Sequence, residues 1–594
     1  MHFGQDRPNP QYAVRRIRLF FVLTAMAVGI FWVRAFYLQV IRHDYYVQAA
    51  RNDQLKEYEI PAPRGTIQAH SGDDLVPIVL NEKLYTIYAD PQLVKDTERV
   101  AETLASALGG KTDDYKTKLE TKDTRYVVIA KHVAADKKQS VLGHKYPGIG
   151  AQEISYRTYP NGSLASQLLG FVNDEGAGVY GIEQALNGQL SGKAGQLKAV
   201  TDINGVPLAA NSDNVQTAPV DGSNVVLTID VAMQKQLENT LQKGVEGARS
   251  EHGSALIMDP NTGAIKAMAN WPTFDPANYA QVDDPSVFNN GAVSSPLEVG
   301  STMKPLTAAA ALDLGVVQPD ETYFDPAMWK VDGYKITNVE EDGGAGQRSL
   351  AQLLNLSLNT GATWLLMQMS QPGGTEINQK GRERWYDYMT NHYRFGKETG
   401  IEQGYEAAGT IPDPVKGYAR DLTYANSSFG QGMTATPLQM AAAYSAMLNG
   451  GTYYQPHLVD QLISPDGKTT TVAPKVLKTG VVSPKVSEEM RPLLEYVVQH
   501  HVIGSRFNEQ LYSVGGKTGT AQLADPHGAG GYSTTDFNGT YLGYVGGDRP
   551  QYVIAVVVYK PHVPGYAGSV AAQPIFADLA TMLLNDFGVT PRSQ

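Results

Sequence analysis

The longest apolar stretch of the chain lies near its N-terminus. Leu19 to Val33 carries no charge, Arg34 interrupts, and Ala35 to Ile41 extends the run before Arg42. Counted through Arg34, Leu19 to Ile41 reaches the ~20 residues that a helix needs to span a bilayer. Arg34 near the far end can snorkel to the interface, helped by Trp32 and Tyr37. Bulky Phe31, Trp32, Phe36 and Tyr37 leave no small-residue cleavage site, so the pattern predicts an uncleaved anchor rather than a signal peptide. Arg7, Arg15, Arg16 and Arg18 precede the span and place the N-terminus inside, with the remainder outside. No second run of this length follows, which predicts a single-pass protein.

Beyond the anchor the pattern changes period. Val40 to Lys56 is polar and helix-permissive, and prolines and Gly65 end it. Thr66 to Leu80 reads as a hairpin turning at Ser71-Gly72-Asp73, with a further short strand over Tyr85 to Ala89 and a helix over Lys95 to Leu108. Lys116 to Lys138 is charge-rich and predicts a solvated helical face. The Asn-, Asp-, Ser- and Ala-rich stretch Pro207 to Gly222 is the clearest domain boundary. After it come a strand (Val225 to Ile229), a helix (Val231 to Ala248) and a hairpin across Asp259-Pro260-Asn261-Thr262-Gly263. A second hairpin, Tyr541 to Val545 with Tyr552 to Tyr559, and a final amphipathic helix, Gln573 to Phe587, close the chain. Strands at both ends with helices between predict an α+β domain, one antiparallel sheet flanked by helices. The aromatic stretch Gln371 to Thr399 predicts packing rather than a groove.

Composition narrows the function. At 594 residues the chain holds more than one domain, and 42% hydrophobic with 18% charged residues is the usage of a folded protein. A formal charge of −11 argues against a general nucleic-acid binder. The absence of cysteine excludes disulfides, thiol catalysis and thiolate metal sites.

The candidate chemistry starts at Gly300-Ser301-Thr302-Met303-Lys304-Pro305. The following run, Leu306 to Leu312, has no polar face and predicts a buried helix closed by Gly315. Ser301 then sits at the helix N-terminus, with Lys304 one turn on along the same face. A serine is a poor nucleophile unless a neighbour takes its proton, and a lysine can do so where desolvation or nearby positive charge favours its neutral form. Alone the pair proves little, since Ser-x-x-Lys is expected about once by chance in a chain of this size. Two later stretches change its weight. Ser357-Leu358-Asn359 offers a hydroxyl and an amide two residues apart, and Lys517-Thr518-Gly519-Thr520 follows the strand-like Leu511 to Val514. Gly519 there permits close backbone approach by a ligand.

In that order, Ser301-x-x-Lys304, Ser357-x-Asn359 and Lys517-Thr518-Gly519 resemble the three motifs of the penicillin-binding protein and serine β-lactamase superfamily. Arg64-Gly65-Thr66-Ile67 and Gly181-Ile182-Glu183 resemble stretches of the membrane-proximal domain of class B penicillin-binding proteins. Asp259 to Ile265 and Gly430 to Gln439 resemble further stretches of the transpeptidase domain. Ser-Leu-Asn where many β-lactamases carry Ser-Asp-Asn weighs against a β-lactamase, and Ser294 to Val299 is less typical of the family than the nucleophile stretch.

The resemblance implies four segments: a cytoplasmic N-terminus (1–18), a transmembrane anchor (19–41), a membrane-proximal pedestal (42–225) and a transpeptidase domain (226–594). It implies a peptidoglycan D,D-transpeptidase of the bacterial cytoplasmic membrane, catalytic domain outside, that cross-links stem peptides and is a β-lactam target. Ser301 would be acylated and Lys304 would be its base. Ser357 would relay a proton to the leaving amine and Asn359 would orient substrate and Lys304. The N–H groups of Ser301 and Thr520 would form the oxyanion hole. Lys517 would supply positive potential, and Thr518 and Thr520, beside Gly519, would bind the donor peptide or a β-lactam carboxylate. Neither metal nor organic cofactor is required. The implied partners are a SEDS-type glycosyltransferase in the membrane and other divisome or elongation-complex proteins. The stretches Tyr88-Ala89-Asp90-Pro91 and Leu38-Gln39-Val40 look more like division-type than elongation-type members. A D,D-carboxypeptidase shares all three motifs and stays open as an alternative. A non-catalytic β-lactam-binding scaffold or sensor fits less well, because only ~18 residues precede the span.

Overall fold

In the computed structural model, residues 10–47, 55–60, 62–200, 215–338, 344–524 and 531–593 are described. They divide into two compact units, residues 1–62 with 193–220, and residues 63–192 with 221–594.

The smaller unit contains a helix, Pro10–Phe36, extended by a π-helical turn, Tyr37–Ile41. Residues 14–41 are long and apolar enough to cross a membrane, the only such segment among the described residues. Its apolar side chains stay exposed, Phe20 at 70% and Phe31 at 76%, as expected of a surface whose solvent is lipid. Arg34 lies 5.7 Å from the centre of the Tyr37 ring, and the Arg42 Nε donates to the Tyr37 hydroxyl at 3.1 Å. A three-stranded antiparallel sheet, Leu55–Ile60 beside Gly195–Val200 beside Val215–Thr217, completes this unit. The helix-permissive reading of Val40 to Lys56 thus ends in a strand, and residues 48–54 lie outside the described set, as do 207–214 of the expected boundary.

The larger unit holds two large sheets beside several two-stranded pairs. In the first, Asn224–Asp230 runs parallel to Ile67–Ser71 and antiparallel to Val459–Ile463. Ile67–Ser71 turns at Gly72 into Asp74–Ala89, a single long strand where two short ones were expected. That strand pairs with Val127–Val133 and Ile149–Thr158. The charged run 116–138 is therefore not one helical face. It comprises the end of a helix (Thr112–Leu119), a strand and a second helix (Ala135–Leu142). Ile129 and Val133 of that strand are buried, and they join Val100, Leu104 and Leu119 in a small core of their own.

An ion triad anchors the entry to this sheet. Glu183 is fully buried and accepts from the Arg64 Nε and the Arg157 Nε, each at 2.7 Å. Arg157 also donates to the Gly65 carbonyl at 2.7 Å, and Arg64 to Asn187 Oδ1 at 2.8 Å. The two family-like stretches, 119 residues apart, thus meet side chain to side chain.

The second sheet has five antiparallel strands: β1 (His252–Met258), β2 (Ile265–Trp271), β3 (Ser513–Ala524), β4 (Tyr532–Gly546) and β5 (Pro550–Tyr559), in the order β2-β1-β5-β4-β3. Helices lie on both faces, as the strand–helix pattern predicts. Helix α1 (Val231–Gly247), capped by Asp230 accepting from the Met233 N–H, packs with α6 (Gln573–Asp586) on one face. The other face covers α2 (Lys304–Asp313), α3 (Asn359–Ser370) and α4 (Pro437–Leu448), with α5 (Pro484–Gln499) beside β3. Helix α4 begins in a capping box: Thr436 Oγ1 accepts from the Gln439 N–H at 3.2 Å, and Gln439 Oε1 from the Thr436 N–H at 2.9 Å. Trp385, Tyr393 and Phe395 are fully buried, so the aromatic stretch is packing.

Candidate active site

Gly300 determines how the nucleophile segment enters α2. Its φ is +60°, and a Cβ there would stand 2.8 Å from the Thr520 carbonyl of β3. Its N–H donates to the Gly430 carbonyl at 3.0 Å. Ser301 follows in a 3₁₀ turn, Gly300–Met303, rather than in the α-helix proper, which starts at Lys304 with Pro305 in its first turn. Lys304, fully buried, is the hub. Its Nζ lies 3.0 Å from Ser301 Oγ, 3.1 Å from Ser357 Oγ and 2.9 Å from Asn359 Oδ1, and it also contacts the Ser357 carbonyl.

Ser357 reaches the lysine because its backbone is left-handed, φ +58°, between the end of the helix Leu350–Asn355 and α3. A non-glycine residue in that region costs about 1 kcal/mol or more and marks a position held by its surroundings. Asn359 opens α3, and its Nδ2 donates to the Thr337 carbonyl at 3.1 Å. Behind it, buried Asp325 accepts from the Thr360 hydroxyl at 2.9 Å and from Asn338 Nδ2 at 3.1 Å.

Residues Lys517 to Thr520 lie in β3. Lys517 is buried, its Nζ 3.1 Å from the Thr518 carbonyl and 3.3 Å from Thr518 Oγ1. A Cβ on Gly519 would meet Thr540 Oγ1 at 2.3 Å and the Val299 carbonyl at 2.7 Å, so only glycine lets β3 close on the nucleophile segment. Thr520 Oγ1 accepts from the Gly568 N–H at 3.1 Å. Ser301, Ser357, Asn359, Lys517, Thr518 and Thr520 line one cleft of about 530 Å³. Seven of the eight expected residues thus gather at the cleft or the Lys304 hub, and Gly519, between Thr518 and Thr520 in β3, packs against the Val299 carbonyl rather than lining the cleft.

Other residues at this cleft carry no spacing signal. His501, just past α5, lines it beside His500. Burial, then the positive charge of Lys517, holds the His501 imidazole below its ordinary value, which keeps it neutral at pH 7. Glu298 ties the segment before Ser301 to its neighbours, accepting from the Gly432 N–H at 2.8 Å and the Tyr532 hydroxyl at 3.0 Å. Burial pushes its carboxyl above the usual range. Among the described residues no cluster of three or more His, Asp or Glu could hold a metal ion.

A lysine amine that bridges a serine hydroxyl, a second hydroxyl and an amide beneath an open strand edge is an arrangement that can support serine acyl transfer. Comparison with known proteins is specific. Residues 253–581 match the penicillin-binding protein transpeptidase domain, and residues 59–227 match the penicillin-binding protein dimerisation domain. Stage V sporulation protein D of Bacillus subtilis is 30% identical over 587 residues, covering 97% of this chain and 87% of its own. The peptidoglycan D,D-transpeptidase FtsI of Escherichia coli is 26% identical over 576 residues, 95% of this chain and 91% of its own. The crystal structure of penicillin-binding protein 3 from Mycobacterium tuberculosis, complexed with aztreonam, superimposes with a TM-score of 0.66 at 26% identity, covering 90% of this chain and 98% of that one. The chain belongs to the class B penicillin-binding proteins, with a dimerisation domain ahead of a transpeptidase domain.

Proposed function

We propose that this protein is a peptidoglycan D,D-transpeptidase that works through an acyl-enzyme on Ser301. The observation that carries the reading is the Lys304 amine, 3.0 Å from Ser301 Oγ and 3.1 Å from Ser357 Oγ, a path for one proton from nucleophile to leaving group. In the first step the unprotonated amine takes the Ser301 proton as Oγ attacks the penultimate D-Ala carbonyl of a donor stem. The N–H groups of Ser301 and Thr520 receive the developing oxyanion. Collapse breaks the peptide C–N bond, Ser357 passes the proton to the departing D-Ala amine, and an ester on Ser301 remains. An amine of a neighbouring stem then attacks that ester, gives up one proton through the same groups, and releases Ser301 with its hydroxyl restored. Asn359 orients donor and lysine, and Lys517, Thr518 and Thr520 hold the terminal carboxylate.

Peptide mapping after treatment with penicillin tests the first step. The adduct is expected on the peptide that contains Ser301, and a folded protein with no adduct there removes the reading. The relative from M. tuberculosis, solved with aztreonam, supports the choice of a β-lactam as probe. A donor pentapeptide supplied with and without an amine acceptor tests the second step. Cross-linked product is expected, whereas D-Ala release with hydrolysis alone would make the protein a D,D-carboxypeptidase.

The apolar helix over residues 14–41 supports insertion in the bacterial cytoplasmic membrane, and Arg15, Arg16 and Arg18 support an inward N-terminus. The resemblance further supports a SEDS-type glycosyltransferase as membrane partner and the division machinery as the setting. Exchanging residues 19–41 for an unrelated span should abolish co-purification with the polymerase while penicillin labelling persists. Retained co-purification would place the contact outside the membrane.

A further inference from the structure

The reaction proposed above leaves one proton without a carrier. An acceptor amine of the lysine type, with a pKa of about 10.4, is an ammonium ion in water at pH 7. It has to shed one proton before it can attack the Ser301 ester, and a second as the new bond forms. Ser357 and Lys304 carry the second. The first needs a base that the acceptor meets on its way in.

The lining of the cleft narrows the choice. Among its described residues there is no aspartate or glutamate, and Lys517 adds positive charge, so an ammonium finds no counter-ion there and the neutral amine is the form admitted. Two lining residues are histidines, just past the end of α5. His500 is exposed, and its Nδ1 lies 2.9 Å from the Tyr496 carbonyl. His501 is half-buried, and its backbone N–H donates to the Val498 carbonyl of α5 at 3.1 Å. The His501 ring donates to the Asn355 carbonyl, two residues ahead of Ser357, and its charged neighbour is Lys517 of β3. It therefore stands where the Ser357 loop, α5 and β3 come together. A neutral imidazole that spends its one N–H on a carbonyl keeps a lone pair on the other nitrogen. Burial first, then the charge of Lys517 and a smaller contribution from His500, hold the ring neutral against the pull of the Asn355 carbonyl.

We propose that His501 is the base that takes the first proton from the acceptor ammonium. One N–H proton passes to the ring nitrogen, giving an imidazolium and a neutral amine. The amine lone pair then attacks the ester carbonyl, the C–N bond forms and the bond to Ser301 Oγ breaks. The second proton reaches Oγ through Ser357 and Lys304. The imidazolium is supported by the Asn355 carbonyl and by the C-terminal end of α5, where carbonyl dipoles favour a cation. Repulsion from Lys517 then returns its proton to water at the mouth, beside exposed His500. This role rests on the acyl-enzyme reading above and supplies the base for its second step.

The test uses the full-length protein in detergent micelles, acylated by a thioester analogue of the donor so that transfer to the acceptor is the slow step. Acceptors are stem tetrapeptides with lysine or meso-diaminopimelate at the third position, and hydroxylamine, which is already unprotonated at pH 7. The variant His501→Gln keeps a donor for the Asn355 carbonyl but takes no proton. Its transfer to the stem amine at pH 7 should be about 10²-fold slower than in the wild type, the low end of general-base effects. The gap should close by about tenfold per pH unit as solution supplies the free amine. With hydroxylamine the two proteins should transfer at similar rates. Wild-type transfer to the stem amine in His501→Gln overturns the proposal. Equal slowing with both kinds of acceptor also overturns it, because that is the mark of a merely structural role. Intact mass on the same samples separates the two readings. Absence of an ester on wild-type Ser301 rejects the acyl-enzyme, and an ester that only hydrolyses rejects the base together with cross-linking.

Discussion

Lys304→Ala is expected to slow acylation by a fluorescent penicillin about 10³-fold, the middle of the range for a general base. The physical reason is that no other described side chain is placed as this one is: its amine contacts the nucleophile, the second serine and the amide together. Truncation also leaves the Asn359 Oδ1 and the Ser357 carbonyl without their donor and opens a cavity, which costs roughly 2–5 kcal/mol of stability. Loss of labelling therefore has to be read beside a thermal melt. Chemical rescue separates the two causes. Methylamine diffusing into the space vacated by the side chain should restore part of the acylation rate without raising the melting temperature, which a structural role cannot produce. Ser301→Ala should not label at all and should not be rescued. A folded Lys304→Ala protein that labels at the wild-type rate would remove the lysine from the mechanism.

Much of this site was legible before any coordinates. Three short motifs in order, a helix with no polar face and Gly315 beyond it located α2, whereas the strand read over Leu511 to Val514 stops short of Lys517 to Thr520, which β3 carries within Ser513–Ala524. What stayed hidden is what lies between segments. Ser-x-Asn does not announce a left-handed serine, because residues of that conformation are usually glycine or asparagine. His501 reaches the cleft only because α5 packs along β3, a contact that no periodicity encodes. The short apolar run Val225 to Ile229 read as a strand without saying that Ile67–Ser71 and Val459–Ile463 are its neighbours. In the run 116–138 the abundance of lysine and aspartate masked Val127–Val133, whose buried positions Ile129 and Val133 are too few to outweigh the charge around them. The pairing of Arg64 with Glu183 belongs with these, since each stretch was conspicuous and nothing in their spacing said that they touch.

Glu183→Ala should be the most destabilising single change outside the catalytic cleft, by about 3–5 kcal/mol, because it strands two arginines in the interior without a counter-charge. Glu183 is fully buried, and both of its oxygens are occupied, one by Arg64 and the other by Arg157. Arg64 has further ties to Asn187 Oδ1 and the Glu183 carbonyl, and Arg157 to Asn81 Oδ1 and the Gly65 carbonyl. The guanidiniums are thus fixed where they lie and cannot swing to water when the carboxylate goes. Burial already disfavours the charge on Arg64, whose pKa it pulls down against the support of Glu183. Arg64→Met should cost less, since Arg157 still neutralises Glu183 and the lost side chain leaves behind neutral or already paired acceptors rather than two uncompensated cations. The order of the two variants is therefore the informative quantity. Because a chain of several domains need not unfold in one step, the measurement is hydrogen exchange at residues 63–68 and 178–187 in the full-length protein. Protection there should fall about 10²- to 10³-fold in Glu183→Ala and by less in Arg64→Met, at 1.4 kcal/mol per tenfold. Equal losses in the two would mean that packing, not charge, holds this corner. Unchanged protection in Glu183→Ala would mean that the arginines find other partners or water, and the triad would no longer explain why these two distant stretches sit together.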